Sequence, residues 1–120
     1  MVSEASKSSR PVGTVTLSQL NFDQYAGGEV PLLVDFWAVW CGPCRVMEPV
    51  VDKLAEKYSE RMVFGKLNVD EEPDLATRYD VFSIPTFMIF KSGKPLDTII
   101  GAVGPNVLER AIQKSIGMTA

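Results

Sequence analysis

The chain has no histidine among its 120 residues and only two cysteines. A zinc site takes about four nitrogen, sulfur or carboxylate ligands. One copy therefore offers half of a soft-metal site at most, and no metal is expected. No apolar run reaches the length of about 18 residues that suggests a membrane span. Basic residues are outnumbered, 12 against 15, which leaves a net charge of −3. That is the wrong sign for nucleic acid, which calls for a basic patch. No G-x-G-x-x-G fingerprint occurs, so no nicotinamide or flavin cofactor is expected. The first residues hold no apolar signal core, which predicts a cytoplasmic protein.

The rest of the composition is that of one globular domain, 46% hydrophobic and 22% charged. Residues 1–13 mix Ser3, Ser6, Ser8 and Ser9 with charged residues and end in Pro11 and Gly13. They predict a flexible tail, followed by a domain over 14–120. In that domain strands and helices alternate. Residues 14–17 suit a short strand, and Ser18 suits the cap of a helix through Tyr25, stopped by Gly27 and Gly28. Residues 31–38 are apolar except for Asp35, as in a strand buried on both faces.

From 43 to 58, Val46, Met47, Val50, Val51, Leu54 and Tyr58 fall at helical spacing, with Pro49 expected to kink the helix. Residues 62–69 read as a strand, 70–74 as an acidic, solvated turn opening a short helix through Tyr79, and 86–90 as a third core strand. Residues 91–94 make a turn, 95–100 pair back, and a last helix over 106–116 places Val107, Leu108, Ala111, Ile112 and Ser115 on one face. The order βαβαβαββα implies an α/β fold, a mixed sheet covered by helices on both faces.

The cysteines lie in Cys41-Gly42-Pro43-Cys44. A structural disulfide gains most from closing a long loop, and this loop is minimal, so a catalytic or redox-sensing pair is the better reading. A bare CxxC is a weak signal. Its position is stronger evidence, because Cys41 follows a buried strand and opens the long helix. The free N–H groups and dipole of a helix start favour thiolate, which makes Cys41 the expected nucleophile. Cys44, one turn on, is expected to be less exposed and to face Cys41. Gly42 allows close approach of a substrate backbone, and Pro43 is tolerated in the first turn. Asp35 is a charge in a buried strand, costly unless paired or neutralised.

Residues 35–44, Asp-Phe-Trp-Ala-Val-Trp-Cys-Gly-Pro-Cys, resemble the thioredoxin family, as do Ile84-Pro85-Thr86 and Ile100-Gly101-Ala102. The likeness covers about 13–117. It implies a thioredoxin fold, a central mixed five-stranded sheet flanked by four helices in three α/β/α layers. It also implies a cis Pro85 beside the sulfurs that leaves a backbone edge free for substrate. Trp40, Gly42, Pro43, Ile84, Pro85, Ile100, Gly101 and Ala102 would form the docking surface. Asp35 would carry protons for Cys44 with Lys66 as its partner, Trp37 would pack beneath the site, and Arg45 occupies a usually basic position. Val39 departs from the more usual polar residue or proline.

The implied activity is protein dithiol–disulfide exchange with the Cys41–Cys44 disulfide as the only redox group and no further cofactor. The partners would be disulfide-containing targets and a thioredoxin reductase, and the chain would be a monomer. An oxidase or isomerase, or a non-catalytic binding subunit on the same scaffold, is the alternative. Gly42-Pro43, without the histidine that isomerase-like relatives often carry between their cysteines, favours the reductant.

Overall fold

A computed structural model describes residues 11–118, so most of the expected tail, 1–10, lies outside the described residues. The elements run β1 (Thr14–Thr16), α1 (Phe22–Ala26), β2 (Leu32–Trp37), α2 (Gly42–Lys57), β3 (Val63–Asn68), α3 (Pro73–Arg78), β4 (Thr86–Lys91), β5 (Lys94–Ile100) and α4 (Pro105–Ser115). The five strands form one sheet in the order β1-β3-β2-β4-β5. β3 pairs in parallel with β1 and β2, while β4 is antiparallel to β2 and β5. This is the expected mixed sheet with helices on both faces.

The period-two alternation of side chains along a strand sorts the core into two layers. Leu32, Val34, Phe36, Met88 and Phe90 pack with Phe22 and Ala26 of α1 and Leu75 of α3. Leu33, Phe64, Phe87 and Ile89 pack with Met47, Val51 and Leu54 of α2 and Leu108 and Ile112 of α4. β2 is central, and five of its six residues are buried. Because Asp35 follows Val34, it turns to the α2 face. That alternation brings a carboxyl group under the helix that carries the cysteines.

Several boundaries differ from the sequence reading. The first helix begins at Phe22, not Ser18. Ser18 N–H donates to Asn21 Oδ1 (2.8 Å), and Asn21 Nδ2 donates to the Thr16 carbonyl (3.0 Å). These local side-chain bonds hold 18–21 as a turn in competition with helix. Val46 and Val107 face solvent, 68% and 48% exposed. The buried line of α2 is Met47, Val51, Leu54 and Tyr58, and Val46 lies a helical step of about 100° away from it. α2 continues as one helix through Pro49.

Candidate active site

Cys41 is the N-cap of α2, and Cys41 and Cys44 form a disulfide with a Cα–Cα separation of 5.3 Å. The loop between β2 and α2 is fixed by short bonds. Cys41 N–H donates to the Ala38 carbonyl (3.2 Å). Arg45 donates to the Val39 carbonyl through Nε (3.2 Å) and Nη2 (2.9 Å). The guanidinium thus clamps the loop that presents Cys41. Gly42 and Pro43 occupy the first helical positions, where a missing N–H costs nothing.

The two cysteine residues are not distinguished by burial. Cys41 is 3% and Cys44 5% exposed, which corrects the expectation of a more exposed Cys41. Their difference is electrostatic. Cys41 Sγ accepts the Cys44 N–H (3.2 Å), an N-cap bond in which sulfur takes the place of oxygen. A sulfur held on the positive end of a helix is stabilised as thiolate once reduced.

Asp35 is 3% exposed, and its Oδ1 has no hydrogen-bond partner among the described residues. Burial pushes its carboxyl up from an ordinary 3.8 to about 7, opposed by the positive charge of Lys66 and reinforced by Glu48 and Asp52. Lys66 lies opposite Asp35 in the β2–β3 register. Its ammonium is nevertheless bonded to Glu48 Oε2 (2.9 Å) and sits 5.0 Å from the centre of the Trp37 ring. The expected Asp35–Lys66 partnership is therefore corrected to attraction without an ion pair. Trp37 packs against Ala38, Cys41 and Cys44 as expected, and it also carries the lysine cation. A crevice of about 350 Å³ is lined by Asp35, Cys44, Glu48 and Lys66, with Trp37, Val39 and Arg45 as walls. It gives the carboxyl and the second sulfur one shared opening to solvent.

Of the apolar residues named from sequence, Trp40 and Ile84 adjoin the disulfide, and Ile100 and Gly101 connect to it through Thr86 and Pro85. Trp40, 69% exposed, precedes Cys41 directly. Ile84 packs against the cysteine pair, and the Ile84–Pro85 peptide is cis. Ile100 pairs with Thr86 in the β4–β5 register and is 64% exposed. Gly101, at φ +99°, donates its N–H to the Pro85 carbonyl (2.8 Å). That bond occupies the Pro85 carbonyl. The free backbone edge belongs to Ile84, which makes no backbone hydrogen bond among the described residues. Ala102 is exposed beside Gly101.

Sequence reasoning missed three residues here. Glu48 holds the lysine, and its signal was available: it follows Cys44 by four, one helical turn on the same face. Asp70 was read as part of a solvated turn, yet its Oδ2 accepts the Trp40 indole N–H (2.8 Å). No local pattern announces a pairing across that distance. Phe82, two residues before Ile84, is a large apolar side chain left 86% exposed.

Among the described residues, no cluster of three or more His, Cys, Asp or Glu is arranged to hold a metal, and no helix is long and apolar enough to cross a membrane.

Comparison with known proteins agrees with this geometry. The thioredoxin family model matches residues 13–114. A thioredoxin of Alicyclobacillus acidocaldarius is 48% identical over 88 residues, 73% of this chain and 84% of the relative. A chloroplastic M-type thioredoxin of Chlamydomonas reinhardtii is 52% identical over 85 residues, 71% of this chain and 61% of the relative. A mutant thioredoxin from Halobacterium salinarum NRC-1 superposes with a TM-score of 0.84 at 30% identity, covering 94% of this chain and 99% of that one.

Proposed function

The chain belongs to the thioredoxin family, and from that premise we propose that it serves as a general protein disulfide reductant in which Cys41 attacks, Cys44 resolves and Asp35 moves the proton. It is a thiol–disulfide oxidoreductase with a redox-active Cys41–Cys44 pair. The observation that carries the assignment of roles is the Cys44 N–H bond to Cys41 Sγ at the start of α2.

In the reduced protein the Cys41 thiolate attacks one sulfur of a target disulfide. A Cys41–target S–S bond forms, the target S–S bond breaks, and the other target sulfur leaves as thiolate. Asp35, as carboxylate, takes the Cys44 proton through water in the shared crevice. Cys44 then attacks Cys41 Sγ, forms the intramolecular disulfide and expels the second target sulfur, which ends the exchange with a reduced target and an oxidised chain. A separate reductase returns two electrons, and the cysteine pair is the only redox group the cycle requires. Trp40, Ile84, Ile100, Gly101 and Ala102 seat the target, whose extended segment pairs with the Ile84 backbone. Gly42 keeps the approach open, Pro43 stiffens the loop, and Pro85 fixes the edge beside the sulfurs.

We also take the working form to be a monomer in a reducing compartment. The cytoplasm is our first choice; a chloroplast, the setting in the name of the algal relative, is the second.

Reduction of insulin by dithiothreitol, followed by turbidity, tests the reading. The native chain should accelerate precipitation and Cys41→Ser should not; equal rates would remove the catalytic assignment. A reduction potential well above about −200 mV would turn the direction of flow toward oxidation.

A further inference from the structure

One ion pair beneath the disulfide is not accounted for by the exchange chemistry. Lys66 is the register neighbour of Asp35, so it is the cation nearest by fold to neutralise that buried carboxyl. Its ammonium is instead drawn toward α2, bonded to Glu48 Oε2 and lying over the Trp37 ring. The side chain of Lys66 is 17% exposed and that of Glu48 52%. The pair therefore lies on the solvent side of a crevice whose floor is Asp35. Glu48 lies one helical turn beyond Cys44, and Asp52 one turn beyond Glu48, which is why all three face Asp35's side of the sheet.

We infer that Glu48 is a positioning residue for proton transfer: by holding the Lys66 ammonium at the crevice wall, it keeps Asp35 without a salt-bridge partner and free to exchange a proton with Cys44. This rests on the proposed proton-carrying role of Asp35.

The alternative arrangement shows why the placement matters. A lysine bonded directly to Asp35 would hold its pKa low and leave a carboxylate too weak a base to take the Cys44 proton effectively. With Glu48 as competing anion, the lysine attracts Asp35 from farther away, and burial dominates. The charged groups around Asp35 are Lys66 from β3 and Glu48 and Asp52 from α2. Arg45, also on α2, lines the crevice but is committed to the Val39 carbonyl. On β4 the register neighbour is Phe87, which carries no charge.

Carbon-13 NMR titration of the Asp35 carboxyl in the oxidised full-length protein tests this without turnover. Glu48→Ala frees Lys66 and should lower the Asp35 midpoint by about one pH unit, the low end of the effect of a close opposite charge. Lys66→Met should raise it. In the Lys66→Met background, Glu48→Ala should produce less than half of its single-variant shift. The acidic limb of mixed-disulfide release should follow the midpoint down in Glu48→Ala. An unchanged or raised midpoint in Glu48→Ala would overturn the inference, as would an equal shift with Lys66 absent, since Glu48 would then act only as a bare charge. The proton-carrier reading fails separately: Asp35→Asn would release the mixed disulfide at the native rate although the titration shifts were as expected.

Discussion

Trp40 and Asp70, 30 residues apart in sequence, are joined by an indole N–H to carboxylate bond of 2.8 Å. The bond ties the most prominent apolar side chain beside Cys41 to the turn after β3. Trp40 is therefore held in one orientation while its ring stays open to a partner. An aromatic ring fixed before binding loses less freedom when a target docks.

Removing that tether should weaken docking and leave the chemistry alone. Asp70→Ala is expected to raise KM for a protein disulfide about three- to tenfold, the equivalent of roughly one hydrogen bond, with kcat little changed. Steady-state kinetics with a protein substrate and with a small disulfide separate the two effects, since the small disulfide does not need the Trp40 platform. An equal loss on both substrates would assign Asp70 a different role.

Asp35 should make stability depend on pH. Its folded-state pKa of about 7 lies above the ordinary 3.8, so the folded protein binds this proton more tightly than the unfolded chain does. The stability that goes with the bound proton is complete below about pH 4 and is lost as pH rises through 7. At about 1.4 kcal/mol per pH unit, the loss is roughly 4 kcal/mol. Asp35→Asn should therefore be more stable than the native chain by a few kcal/mol at pH 8, and by little at pH 4. Urea unfolding at the two pH values measures the difference, and an equal effect at both would contradict the assignment.

Gly65, in the middle of β3, should tolerate no side chain. A Cβ there would overlap the side chain of Leu17, with Leu17 Cγ only 2.7 Å away. Leu17 is 1% exposed and has little room to move. Gly65→Ala is expected to cost about 1–3 kcal/mol, the usual range for overpacking, read as a lower midpoint of urea unfolding.

Gly101 is a second constrained glycine, and here the constraint is conformational. Its φ of +99° disfavours any L side chain, although nothing lies within 4 Å of an added Cβ. Gly101→Ala should cost about 1–2 kcal/mol through the backbone. It should also weaken target binding, because Gly101 donates to the Pro85 carbonyl at the edge of the docking surface. Comparing unfolding with KM for a protein substrate tests both.

The long elements were legible because their patterns are internal to them. The apolar run of β2 and the spacing of Met47, Val51 and Leu54 on α2 each identify a buried face without knowledge of any partner. The cysteine pair was legible for the same reason, as it sits where one pattern gives way to the other. What sequence left open depends on contacts between distant segments or on competition between groups. Ser18 looks like a helix cap until Asn21 turns back to bond it. Lys66 looks like the partner of Asp35 until Glu48 reaches it from another element. Val46 has the spacing of a core residue, and only the angle of α2 on the sheet turns it outward. The exposure of the two cysteine residues was likewise undecidable from order alone, because the covering groups include Ile84 from a remote loop.

The most direct test of the central claim, that Cys41 attacks and Cys44 resolves, is trapping of the mixed disulfide. Cys44→Ser and Cys41→Ser, each reduced, are mixed with a disulfide-containing protein substrate and analysed by non-reducing electrophoresis and mass spectrometry. Cys44→Ser should accumulate a stable adduct through Cys41, reversed by dithiothreitol, and Cys41→Ser should form little or none. Equal adducts from both variants, or an adduct mainly through Cys44, would contradict the assignment of the two sulfurs.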